Sequence, residues 1–129
     1  MTYLRNDAAP QRRWPEPQAG RVPYWVYTDE ALYGRELERI FYGPNWCYVG
    51  LSAEVPEAGD FKTTLIGERP VIAARAEDGT VAVLENRCAH RGVQLCFREL
   101  GRNKEFVCPY HQWTYALNGE LTGVSFLRG

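Results

Sequence analysis

Both histidines of this chain sit beside a cysteine. Cys88-Ala89-His90-Arg91-Gly92 and Cys108-Pro109-Tyr110-His111 together read Cys-x-His, seventeen residues, Cys-x-x-His. Thiolates and neutral imidazoles are metal ligands, and a Cys–His pair can also act as nucleophile and base. Three chemistries compete for the four residues. A tetrahedral zinc site of two Cys and two His usually groups like with like, whereas each pair here is mixed. Nucleophilic catalysis needs one pair and leaves the second without a purpose. A 2Fe-2S cluster with two Cys on one iron and two His on the other uses all four and accounts for the mixing.

Charge shows what such a cluster would do. Two ferric ions balance two sulfides and two thiolates, so the oxidised core is neutral and one added electron takes it only to −1. An all-cysteine cluster starts lower and resists the electron more. The chemistry implied is a one-electron relay. Cys47 and Cys96 have no histidine companion and are expected as buried free thiols.

The elements around these segments must bring them together. From Trp46 onward the chain reads as short β pieces between turns: Trp46 to Val49, Phe61 to Ile66, Pro70 to Ala74, Val81 to Leu84, Glu105 to Val107 and Trp113 to Leu117. Glu77-Asp78-Gly79-Thr80 and Asn118-Gly119 are hairpin turns. The two Cys/His segments flank strand-like pieces, so each is expected as a loop at the tip of the sheet. Gly92 and Pro109 suit such loops. Upstream, Thr28 is expected to cap one amphipathic helix over about residues 29–41, with Tyr33, Leu37, Ile40 and Phe41 as its packing stripe and Gly43-Pro44 as its stop. Residues 1–23, rich in Pro and Arg, read as an extended arm. Trp14, Trp25 and Trp46 are read as packing residues. The fold class is mainly β: a small antiparallel β-sandwich with the cluster-binding loops at one tip, preceded by one N-terminal helix.

Composition bounds the partners. The 129 residues make about one domain. A net charge of −1 lacks the basic excess that nucleic acid or an anionic membrane surface would want. No apolar run reaches the ~18–20 residues of a membrane span, and the polar start is no secretory signal, so a cytoplasmic chain with reduced thiols is expected.

At Cys-Ala-His-Arg-Gly and Cys-Pro-Tyr-His-Gln-Trp-Thr-Tyr the chain resembles the Rieske domain of ring-hydroxylating oxygenase large (alpha) subunits. The similarity extends over Tyr24 to Gly129, through Gly59-Asp60-Phe61, Ile66-Gly67 and Pro70-Val71-Ile72, and the text is most similar to subunits acting on salicylate- or anthranilate-type acids. Gln112 departs from the glycine many members carry there. The resemblance implies Cys88, His90, Cys108 and His111 as ligands of a Rieske 2Fe-2S cluster, with Arg91, Gly92, Pro109, Tyr110 and Trp113 around it. Trp113 is expected to shield one side of the cluster. It divides the chain into an arm (1–23), a lead-in helix (24–45) and a Rieske domain (46–129). The respiratory and photosynthetic Rieske type carries cysteines at the places of Val93 and Tyr110 and a serine at that of Trp113. Without that serine as donor to cluster sulfur, the potential is expected at the low end of about −150 to +300 mV.

The function implied is electron transfer from a reductase or ferredoxin to a mononuclear non-haem iron that activates dioxygen on an aromatic substrate. The electrons would leave by the exposed edge of His90 or His111. That iron needs two further histidines and a carboxylate. This chain has none to spare, so catalytic residues are expected outside it, in a domain following residue 129. The neighbours implied are other large subunits in a trimer, sometimes with beta subunits. A stand-alone Rieske ferredoxin and a structural zinc Cys2His2 module are the alternatives.

Overall fold

The computed structural model describes Trp14 and residues 20–125. Apart from Trp14 and residues 20–23, the expected arm lies outside the described residues. Two antiparallel sheets make up the body. The first has strand order β3-β2-β1-β4, with β1 Asp60–Ile66, β2 Arg69–Arg75, β3 Val81–Glu85 and β4 Leu100–Arg102. The second is β5-β6-β7, from Phe106–Val107, Thr114–Tyr115 and Leu121–Gly123.

Strand β2 is central, and both of its faces are covered: Val71, Ile72, Ala73 and Ala74 are all buried. A continuous apolar run is what such a strand requires, in contrast to the alternation of a half-exposed one. Ile72 and Ala74 join Phe61, Phe106, Tyr115 and Leu117 in the core between the sheets. Phe61 meets Phe106 edge-on, with ring centroids 5.5 Å apart, and so ties the first sheet to the second. Gly101 makes room for this contact, since a Cβ there would stand 2.9 Å from the Phe61 ring. Strand β4 was not foreseen. It pairs Asp60 with Arg102, whose side chains form an ion pair at 2.7 Å.

The lead-in differs from expectation in three ways. The helix cap is Asp29 and not Thr28: the Asp29 carboxylate accepts the Leu32 N–H at 3.0 Å, while the Thr28 hydroxyl turns back to Trp25 O. The α-helix, α1, covers Glu30–Glu36 and continues as a π-helical turn, Leu37–Phe41, closed by Tyr42 N–H on Leu37 O. Its stripe is not buried: Tyr33, Ile40 and Phe41 remain exposed, and the contact with the body that the chain makes here is at the tip of the β1–β2 hairpin, where Leu37, Phe41 and Tyr42 close on Gly67. There the Tyr42 hydroxyl accepts the Glu68 N–H at 3.0 Å, and the Arg69 guanidinium lies 3.8 Å over the Tyr42 ring.

The segment Trp46 to Val49 forms no strand. Its aromatic, β-branched text has the propensity, but no sheet edge is paired with it, and Trp46 and Tyr48 project outward. Trp46 and Trp14 are therefore exposed and not packing residues, whereas Trp25 is half-buried.

Candidate metal centre

Two loops carry the Cys/His segments, and they share one backbone plan. In the first, the Cys88 N–H donates to Val93 O at 2.7 Å and the Gly92 N–H returns to Cys88 O at 2.8 Å. In the second, the Cys108 N–H donates to Trp113 O at 2.8 Å and the Gln112 N–H returns to Cys108 O at 3.0 Å. Each loop turns on a left-handed residue four positions after its cysteine, Gly92 at φ 73° and Gln112 at φ 57°. Glycine reaches this region freely; glutamine does so at a cost. The strand expected over Trp113 to Leu117 shortens to Thr114–Tyr115, because the Trp113 carbonyl is spent on the loop and Ala116 and Leu117 enter the turn closed by the Gly119 N–H on Ala116 O.

The loops place the sulfurs inside and the imidazoles outside. Cys88 and Cys108 are each 2% exposed, sit in the core, and have their thiols in hydrogen-bonding contact. His90 is exposed and His111 half-buried, with their Nδ1 atoms 3.1 Å apart. Two ring nitrogens from different loops thus face one another, within hydrogen-bond distance. Among the described residues, no three His, Cys, Asp or Glu side chains group around a single point as ligands of one ion. A sulfur pair beside a nitrogen pair fits a binuclear centre with two protein donors per metal better than one tetrahedral zinc.

Local electrostatics favour the ligating forms. Burial pushes the Cys88 thiol up, but hydrogen bonds from the Tyr115 hydroxyl, the His90 and Arg91 N–H groups and the Cys108 thiol outweigh it and hold it below the ordinary thiol value. Burial first, then the charges of His90 and Arg91, lower His111, which favours the neutral ring a metal ligand needs.

The surrounding residues are distributed as follows. Trp113 stacks on the His90 ring, centroids 4.8 Å apart and planes within 13°, and its other side meets the core. Tyr110 leans against His111 at 3.8 Å and is otherwise exposed, as is Pro109. Arg91 is exposed and near enough to His111 to act on its charge. Of the remaining thiols, Cys96 is buried in the core as expected. Cys47 is only half-buried and points to Phe41 O at 3.5 Å.

Two residues of the site were not foreseen. The buried Tyr115 hydroxyl accepts the Ala89 N–H at 3.0 Å and stands 3.2 Å from the Cys88 sulfur. Asn86, 2% exposed, binds the far side of the first loop at Leu95 and Cys96. A tyrosine in a strand and an asparagine at a strand end carry no signal of such contacts.

Residues 45–128 match the protein family described as the Rieske 2Fe-2S domain. The chain is 58% identical over 117 residues to the large oxygenase component of salicylate 5-hydroxylase from Ralstonia sp., covering 91% of this chain and 28% of that protein. It is 46% identical over 129 residues to the large subunit of anthranilate 1,2-dioxygenase from Burkholderia cepacia, covering 100% of this chain and 30% of that one. Its fold is similar to that of naphthalene 1,2-dioxygenase from Rhodococcus sp., solved with indole bound, at a TM-score of 0.73 and 41% identity, over 80% of this chain and 23% of that one. The chain thus spans less than a third of the length of the curated relatives it matches. Among the described residues no helix is long and apolar enough to cross a membrane. Since that family match takes in both Cys/His loops and both sheets, the chain belongs to the Rieske 2Fe-2S domain family.

Proposed function

We propose that this chain is the electron-relay part of an aromatic-ring-hydroxylating oxygenase large subunit. Cys88 and Cys108 hold one iron of the cluster through buried thiolates, and His90 and His111 hold the other through Nδ1. The observation that carries this reading is the two-plus-two pairing: thiols together in the core, and imidazole Nδ1 atoms 3.1 Å apart at the surface. When bound, a cluster with this donor set stores a single electron at modest cost in charge.

The protein's own groups divide the remaining work. The core keeps water from the thiolates, Tyr115 offers its hydroxyl hydrogen to the Cys88 sulfur, and Trp113 covers one face of His90. The uncovered edge of His90, the more exposed of the two imidazoles, is then the way out for the electron, toward a partner that meets the loop tip. A reductase or ferredoxin is the donor. The acceptor is a mononuclear iron in the rest of the large subunit or in its neighbour within a trimer, with or without beta subunits. Residues 24–45 serve as a lead-in and the part from 46 onward as the relay domain, in a cytoplasmic enzyme. The higher identity to salicylate and anthranilate enzymes supports an aromatic acid as the substrate hydroxylated by the whole protein.

Iron, acid-labile sulfide and zinc content, with an EPR spectrum after dithionite, test the reading. About two irons and two sulfides per chain with a rhombic reduced-state signal are expected. About one zinc, no sulfide and no colour would overturn it in favour of a structural Cys2His2 site.

A further inference from the structure

Asn86 lies two residues before Cys88, at the point where β3 ends and the first ligand loop begins. It is fully buried and polar, a placement that costs stability unless its polar atoms find partners. Both do. Its Oδ1 accepts the Cys96 N–H at 2.8 Å and the Leu95 N–H at 3.1 Å, and its Nδ2 donates to Cys96 O at 2.7 Å. Its backbone N–H donates to Pro70 O on β2 at 2.8 Å. One side chain therefore closes the base of the loop that carries Cys88 and His90, and its backbone fastens that base to the central strand. Gln94 reinforces the closure, its Nε2 donating to the same Cys96 carbonyl at 2.8 Å.

The pattern selects for asparagine. Two neighbouring N–H groups need one acceptor oxygen, while the adjacent carbonyl needs a donor from the same side chain. Aspartate would turn an oxygen toward Cys96 O. An apolar isostere would take from the Leu95 and Cys96 N–H groups the acceptor that Oδ1 provides, and serine is too short to reach both sides.

We infer that Asn86 is the positioning residue of the first ligand loop. By fixing the separation of residues 86 and 96, it sets where the Cys88 thiol and the His90 ring stand, and hence how tightly and in what electronic state the cluster is held. The inference rests on the ligand reading proposed above. Groups that orient metal ligands without touching the metal typically change its affinity by about 10–100-fold when removed.

The test compares the holoprotein with Asn86→Asp, Asn86→Ser and Val55→Ala, the last a buried truncation outside both ligand loops. The readouts are the reduced-state EPR g-values, the midpoint potential and the rate of iron loss to a chelator, alongside thermal melting. The Asn86 variants are expected to lose iron on the order of tenfold faster and to shift the g-values and potential. Val55→Ala lowers the melting temperature and leaves the g-values and potential unmoved. Asn86 variants that melt lower yet keep the parent g-values, potential and chelator rate would overturn the inference. Should neither fold, Gln94→Ala decides. It removes only the second donor to Cys96 O, and faster iron loss supports positioning while the parent rate overturns it. A parent chain without iron or sulfide would overturn the ligand reading itself, and this inference with it. A fully loaded parent with indifferent variants overturns the inference alone.

Discussion

The Tyr115 hydroxyl reaches the first Cys/His loop from the opposite sheet, 3.2 Å from the Cys88 sulfur and 3.0 Å from the Ala89 nitrogen. An amide N–H can only donate, so the hydroxyl spends a lone pair on Ala89 and has its hydrogen left for the sulfur. Burial and the bond to Cys88 both raise the phenol above its ordinary value, and it keeps that hydrogen. A donor to ligand sulfur stabilises the more negative, reduced state. It therefore offsets part of the lowering expected where a serine is replaced by Trp113. Tyr115→Phe is expected to lower the midpoint potential by about 1–2 kcal/mol, on the order of 40–90 mV for one electron. A redox titration in which the variant matches or exceeds the parent would refute this.

Gln112 occupies in the second loop the place that Gly92 holds in the first, and it is the one described non-glycine residue with positive φ. Left-handed backbone costs an L-residue about 1–2 kcal/mol, partly balanced by the greater freedom glycine has when unfolded. Gln112→Gly should leave thermal stability unchanged or slightly higher. Gln112→Val, β-branched and intolerant of positive φ, should lose about 1–3 kcal/mol. Denaturant unfolding of the two variants checks the order, and a valine variant as stable as the glycine one would show that the loop does not need this turn.

The four Cys and His positions were legible because each pair is local in sequence and the residue types are rare. Gly92 announced its turn for the same reason; Gln112 did not, since glutamine carries no sign of a left-handed backbone. Tyr115 and Asn86 act across 26 and 10 residues, on Ala89 and Cys96 respectively, through contacts that exist only once the sheets have formed. Strand β4 is three residues of unremarkable text whose pairing is set by its neighbour β1. The segment Trp46 to Val49 shows the converse error, in which strand propensity was read correctly but no edge is there to receive it.

Gly67, at the tip of the β1–β2 hairpin, is where the lead-in meets the body. Its φ is +59°, and a Cβ there would stand 2.8 Å from the Leu37 side chain and 3.2 Å from Phe41 and Tyr42. Gly67→Ala is thus strained twice over, by its backbone and by the helix packed on it. Because Leu37, Phe41 and Tyr42 meet the body at this tip, the helix is expected to lift off while the sheets hold. Limited proteolysis should cut the variant between residues 24 and 45 well before the parent. Unchanged cleavage there would mean that other contacts hold the lead-in.

The ion pair of Asp60 and Arg102 gives the pairing of β1 with β4 a dependence on pH. The hydrogen bond from Arg102, then that from the Glu57 N–H, hold the Asp60 carboxyl below its ordinary value of 3.8. A carboxyl whose value is lower in the folded chain stabilises the fold while it is ionised. Its contribution is complete above the unfolded value and disappears as the pH falls through the lowered folded one. The side chain of Arg102 is mostly exposed, so the effect is modest and salt should weaken it. Melting curves taken from neutral into acid should show the parent losing stability below about pH 4. Asp60→Asn keeps an acceptor but not the charge, so its curve should start lower and fall less over the same range. Equal acid sensitivity in the two proteins would assign the loss to other carboxylates, of which Glu54, paired with Lys62, is the next to test.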